Sequence, residues 1–144
     1  MKPWGYDEMD IDYEGGERMT NFEMVQEFHR AFGQQVATVP TLAELPVENL
    51  RIDLIAEELD ELAVALVDEN IVEVADALTD LAYVVYGMAD IYGIDLDACF
   101  REVHRSNMSK LGEDGKPILR ADGKFLKGPN YSPPDLKTVL GIES

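Results

Sequence analysis

Between Ile52 and Phe100 the chain carries thirteen Asp and Glu and not one Lys, Arg or His. The same stretch is strongly apolar, and its apolar residues recur at three- and four-residue spacing, the period of one helical face. The segment "IAEELDELAVALVDENIVEVADALTDLAYVV", residues 55–85, shows both properties at once. Ile52, Ile55, Ala56, Leu59, Leu62, Ala63 and Leu66 mark the stripe of a helix from about Val47 to Asp68. Ile71, Val74, Ala75, Leu78, Leu81, Ala82, Val85 and Ala89 mark the stripe of another, from about Asn70 to Tyr92 and closed by Gly93. The connection at Asp68–Asn70 is so short that the two helices must be antiparallel neighbours.

The flanking sequence extends this pattern. Thr20 or Asn21 is a natural N-cap, with Glu23 three residues after Thr20 in a capping-box arrangement. Phe22, Val25, Phe28 and Phe32 then share a face until Gly33. Residues 34–46, with Pro40 and Pro46, read as a loop. A further helix is predicted from about Asp95 to Met108, with Leu96, Cys99, Phe100 and Val103 turned inward. Beyond Lys110, "GEDGKPILRADGKFLKGPNYSPPD" carries two Asp-Gly turn signals and reads as a turn-rich arm or hairpin, before a short helix from Pro134 to Leu140. Residues 1–19 show no helical period and read as a loose acidic extension; 20–144 form one domain. The expected fold is all-α: an antiparallel bundle of four main helices with a C-terminal arm, completed by dimerisation, because both long helices are apolar on two faces.

A chain of 144 residues that is 46% hydrophobic can bury a core. Its apolar runs are too short for a bilayer, its N-terminus has no signal-peptide pattern, and one cysteine fits a reducing cytoplasm. A net charge of −17 argues against nucleic acid as a partner. The charge is uneven, with 4 Lys/Arg against 23 Asp/Glu in residues 1–100 and 8 against 6 in 101–144. An acidic body carries a locally basic tail.

The simplest account of the acids is two solvated helix faces. Such faces normally interleave Lys and Arg, because like charges at i,i+4 repel by about 0.2–0.5 kcal/mol per pair. Here they do not. The face of Glu73, Asp76 and Asp80 is also shared by Ala77, Val84, Gly87 and Ile91, and Leu54 and Ala65 bracket Glu58 and Glu61. Carboxylates set among apolar residues are expected to be partly buried, and without side-chain cations they need another cation. A hard divalent ion fits, Mg²⁺ most simply, with Mn²⁺ able to substitute. The i,i+3 pairs Glu58/Glu61 and Glu73/Asp76 offer two donors on each helix, with Asp80 behind them. A di-iron bundle would use Glu-x-x-His; the two histidines, His29 and His104, lie elsewhere and read as structural.

"EELDE" followed by "EVAD" resembles the EExxE…ExxD pattern of the MazG-like all-α nucleoside triphosphate pyrophosphohydrolases, a superfamily that includes phosphoribosyl-ATP pyrophosphohydrolase. "DLAYVVYGMADIYGIDL", "SNMSK" and "KGPNYSPPDL" extend the likeness over roughly residues 20–137. The resemblance implies Mg²⁺-dependent cleavage between the α and β phosphates of a nucleoside triphosphate, releasing pyrophosphate. It makes Glu58, Glu61, Glu73 and Asp76 the metal ligands and Glu57 the residue that orients or deprotonates the attacking water. The basic tail then has a use: Lys110, Lys124 and Lys127, with Arg105, suit distal phosphates, and Asn107 and Asn130 offer amides. The expectation is a nucleotide-pool enzyme acting on a (deoxy)nucleoside triphosphate. Phosphoribosyl-ATP hydrolysis is the nearest rival, and a non-catalytic acidic binding module the rival of another class.

Overall fold

The computed structural model describes residues 18–142. The acidic extension expected over residues 1–19 lies outside the described residues, apart from its last two. Five helices follow in order: α1 Asn21–Ala31, α2 Leu45–Val67, α3 Ile71–Ile91, α4 Leu96–Met108 and α5 Leu136–Leu140. Four of them form the expected bundle. Helix α3 packs against α2, α1 and α4, and α4 carries α5 on its flank.

Local chemistry sets most of the ends. Thr20 Oγ1 accepts the Glu23 amide and Glu23 Oε1 accepts the Thr20 amide, both at 3.1 Å, so the capping box is complete. Helix α2 begins two residues before the expected Val47, because Pro46 sits in its first turn, where a missing N–H costs nothing. Its junction with α3 turns on Glu69, a non-glycine residue at φ 51°, after which Asn70 Oδ1 accepts the amides of Val72 and Glu73. Gly93 ends α3 at φ 69°, where any Cβ would meet the Val39 carbonyl at 2.3 Å. The loop crossing there satisfies α3's last carbonyls: the Ala37 amide donates to Ile91 O and the Thr41 amide to Tyr92 O. Helix α5 starts at Leu136 rather than Pro134, capped by Asp135.

The arm folds as its Asp-Gly signals predict. The Arg120 amide donates to Lys124 O at 2.9 Å and the Leu126 amide to Ile118 O at 2.8 Å, closing a small hairpin around Asp122-Gly123. A single antiparallel bridge, Leu119 to Phe125, is all the β structure it contains. The arm's root is fixed to α4. Arg105 pairs with Glu102 and also reaches Pro133 O, the Ser132 amide donates to Ser109 Oγ, and the Asp135 amide donates to Glu102 Oε1.

The packing faces differ from expectation. The stripes read as core are largely outward in the single chain, with Leu59 at 55%, Leu66 at 58% and Leu78 at 51% exposure. The α2–α3 seam uses the second face instead: Arg51, Ala65, Ala77 and Gly87 are buried, and Leu54, Glu58 and Asp80 are half-buried. Small residues at this seam let the two backbones approach closely, which the bulky leucines would prevent. On α4 only Cys99 of the expected inward set is fully buried; Phe100 and Val103 are exposed, and Ser106 is buried instead. On α1, Phe22 and Val25 are core, whereas Phe28 and Phe32 are exposed and meet as a tilted ring pair with centroids 4.3 Å apart. No described helix is long and apolar enough to cross a membrane.

Candidate metal centre

The seam brings carboxylates from two helices together. Glu58 and Glu61 on α2 and Asp80 on α3 each place one oxygen within 4.8 Å of the others. They meet because 58 and 61 lie three apart, side by side on one helix face, opposite Asp80 across the seam. Glu58 Oε2 is buried and has no hydrogen-bond partner. Burial first, then the charges of Glu61 and Asp80, a side-chain hydrogen bond with Glu61 and the charge of Glu57, push the Glu58 carboxyl above the ordinary carboxylate range. An orphaned carboxylate oxygen beside two more acids is an arrangement in want of a cation. Three carboxylate oxygens at this spacing fit a hard divalent ion.

An open cleft of about 590 Å³ adjoins this cluster, lined by Asp60, Glu61, Asp68, Asn70, Glu73 and Asp76 among others. Glu61 belongs to both, so the cleft and the cluster are continuous. Asp76 stands one turn, and Glu73 two turns, before Asp80 on α3, about 6 and 10.5 Å along the axis. Glu57 is exposed beside Glu58. The set expected from sequence therefore divides: Glu58 and Glu61 join Asp80, which the sequence reading had put behind them, while Glu73 and Asp76 line the cleft.

The tail residues lie apart from the acids. Asn107 and Lys110 line a separate, mostly apolar groove of about 410 Å³ with Met108, Ile118, Phe125 and Leu126. Lys127 Nζ sits 4.6 Å above the Tyr131 ring. Lys124 gives only its backbone amide, to Asp122 Oδ1, and Asn130 is exposed. None of these residues lines the acidic cleft.

One buried polar group had no place in the sequence reading. His29 Nδ1 and Asp90 Oδ2 lie 2.6 Å apart, at 6% and 7% exposure, and Arg51 is buried with them at 9%. His29 and Arg51 converge over Gly87, where an added Cβ would sit 3.3 Å from Arg51 Nη1 and 3.6 Å from the imidazole. Burial pulls the guanidinium below its usual range, and the charge of Asp90 opposes that pull. The signal in the sequence was Arg51 itself, two turns before Glu58 on the same face. His29, read as structural from the sequence, is buried against Asp90.

A model of the phosphoribosyl-ATP pyrophosphohydrolase family matches residues 25–107, which include all the acids of the seam. Protein L479 of Acanthamoeba polyphaga mimivirus, a protein of uncharacterised function, is 38% identical over 125 residues. That match takes in 84% of this chain but only 44% of the viral protein. The crystal structure of a proposed NTP pyrophosphohydrolase from Exiguobacterium sp. 255-15 is 26% identical with a TM-score of 0.45, covering 88% of this chain and 95% of that one. With more than half its length matched by the family model, the chain belongs to the phosphoribosyl-ATP pyrophosphohydrolase family, of the all-α, MazG-like NTP pyrophosphohydrolase type.

Proposed function

We propose that the chain hydrolyses a (deoxy)nucleoside triphosphate between its α and β phosphates, giving a monophosphate and pyrophosphate, in the cytoplasm and as a nucleotide-pool enzyme. The observation that carries the proposal is the convergence of Glu58, Glu61 and Asp80 with a buried, unpartnered carboxylate oxygen. Glu58, Glu61 and Asp80 would hold Mg²⁺, or Mn²⁺ in its place, with Glu73 and Asp76 adding donors along the cleft. The bound metal supplies neutralisation of phosphate charge, the main requirement of phosphoryl transfer. The protein's own residues do the rest. Glu57, exposed beside Glu58, orients the attacking water and takes its proton. The open cleft admits the polyphosphate, and lysines and amides of the tail (Lys110, Lys124, Lys127, Asn107, Asn130) bind its distal end. The enzyme works as a homodimer or a dimer of dimers, which covers the exposed stripes of α2 and α3.

A second reading has its own support, because the matching family model carries the name of phosphoribosyl-ATP pyrophosphohydrolase. One experiment separates the readings: pyrophosphate release from a panel of nucleoside triphosphates run beside phosphoribosyl-ATP, with Mg²⁺ and Mn²⁺. Turnover of a nucleoside triphosphate above phosphoribosyl-ATP is the expected result. The reverse preference selects the second reading, and background release with every substrate and metal makes the chain a non-catalytic acidic module.

A further inference from the structure

We propose that Arg51 is a positioning residue: with His29, Gly87 and Asp90 it locks α3 in one register against α2, and that register gathers Glu58, Glu61 and Asp80. This inference rests on the reading of the three acids as a metal centre. Acids that repel one another cannot draw themselves together, so their spacing has to be imposed from elsewhere on the seam. Leu54, Ala65 and Ala77 make non-directional apolar contacts there, and Arg51 is the only Lys or Arg on either helix. Arg51 is also a costly residue to bury. Its Nε finds no hydrogen-bond partner among the described residues, and an apolar side chain of the same size would fill the place without that cost.

Two contacts on the seam obey a single register. Arg51 stands seven residues before Glu58 on α2, and Gly87 seven residues after Asp80 on the antiparallel α3. Seven residues are two turns, about 10.5 Å, so each pair shares a helix face. The Arg51 guanidinium lies over Gly87, with Nη1 3.3 Å from where a Cβ would be, and Glu58 lies opposite Asp80 in the same way. Three helices meet at the first of these contacts. Asp90, one turn past Gly87, sets its charge against Arg51 and holds His29 of α1 at 2.6 Å, and all three side chains are buried. A slide of α3 by one turn, about 5.4 Å, would set Val84 or Asp76 opposite Glu58 and draw Asp90 away from the guanidinium. A buried charge parted from its counter-charge is strongly destabilising, so the polar contact selects the register that the apolar ones leave open.

Magnesium affinity, read by isothermal titration, separates this role from two others. Arg51→Met keeps the bulk and removes the charge; with the lock gone, Mg²⁺ affinity should fall about tenfold. A guanidinium acting only through its field would give the opposite sign, because removing a positive charge near the acids strengthens their hold on a cation. A merely structural Arg51 would leave the affinity unchanged and lower only the melting temperature. Either of those results overturns the proposal. Gly87→Ala changes no charge and crowds the guanidinium, so it should lower the affinity too, and it stands in if Arg51→Met does not fold. A readout free of metal covers a wild type that binds none, where the metal reading fails by itself. Three residues along each helix from the Arg51–Gly87 contact, the register sets half-buried Leu54 opposite half-buried Val84. The metal-free protein should show a methyl–methyl NOE between them, and Arg51→Met or Gly87→Ala should weaken it severalfold. An NOE absent from the wild type, or unchanged in the variants, overturns the lock whatever binds at the acids.

Discussion

Neighbouring carboxylates with different surroundings should fail in different ways when neutralised. Glu57 is exposed and faces no orphaned atom, whereas Glu61 shares the 4.8 Å cluster with Glu58 and Asp80. Glu57→Gln should therefore lose most turnover, by about 10²–10⁴-fold for a general base, and keep its affinity for Mg²⁺. Glu61→Gln should weaken metal binding itself, read by isothermal titration. Equal loss of metal affinity in both variants would remove the distinction between base and ligand. The buried trio is a stability device at the same scale. Asp90→Ala leaves the Arg51 guanidinium inside without the carboxylate that faces it and His29 Nδ1 without its hydrogen-bond partner, and stripping one side from a buried polar cluster of this kind costs about 3–5 kcal/mol. Urea denaturation should show a loss of that order. A loss below about 1 kcal/mol, typical of an exposed pair, would place the trio in water.

At the scale of elements, one carboxylate ties together two of the contacts that join α4 to the arm. Hydrogen bonds from Arg105, then from the Asp135 amide, hold the Glu102 carboxyl down to about 2. A depressed acid stabilises the fold above its unfolded pKa of about 4.3 and loses that contribution as pH falls through the folded value. The joint should therefore be intact at neutral pH and loosen between about pH 4.3 and 2. The Arg105 Nε–H resonance should titrate near the lower limit, and Glu102→Gln should abolish the titration; a midpoint near 4.3 would mean the pair does not form in solution. Helix positions, caps and the hairpin were legible in the sequence because each depends on local chemistry, such as Thr20 with Glu23, Asn70, or Asp122-Gly123. The inward faces were not. Periodicity finds the most apolar stripe, but α2 and α3 pack through Ala65, Ala77 and Gly87, where small size counts for more than hydropathy, and Leu59 and Leu78 are left outside. The acids were recognised, but the partial burial expected of them holds only for Glu58 and Asp80, since Glu61, Glu73 and Asp76 are exposed, and their grouping was not foreseen. Which of Asp80, Asp76 and Glu73 meets Glu58 depends on how α3 is set against α2, and spacing along a single helix does not contain that.

At the scale of the molecule, two properties of the single chain demand compensation: an uncovered apolar stripe and an uncompensated charge. Ile52, Leu59, Leu66 and Leu78 are each more than half exposed in the single chain, so light scattering at micromolar concentration should give a dimer or tetramer mass, and a monomer would contradict the expected assembly. The charge makes a prediction about metal. If the seam's acids are tolerated because a divalent ion sits among them, the metal-free protein carries their repulsion as lost stability. A site filled at about 100 times its dissociation constant adds roughly 2.7 kcal/mol, which for a domain of this size corresponds to a melting rise on the order of 10 °C. A merely solvated acidic face would behave otherwise, since sodium chloride at equal ionic strength screens exposed charges nearly as well. Millimolar Mg²⁺ should accordingly protect far more than matched NaCl in a thermal melt. Glu58→Gln should erase most of that difference, because it removes the buried oxygen that lacks a partner. Without metal the same variant should melt at or above the parent, having lost one charge that Glu61, Asp80 and Glu57 all repel. Equal protection by the two salts would return the cluster to an ordinary wet surface.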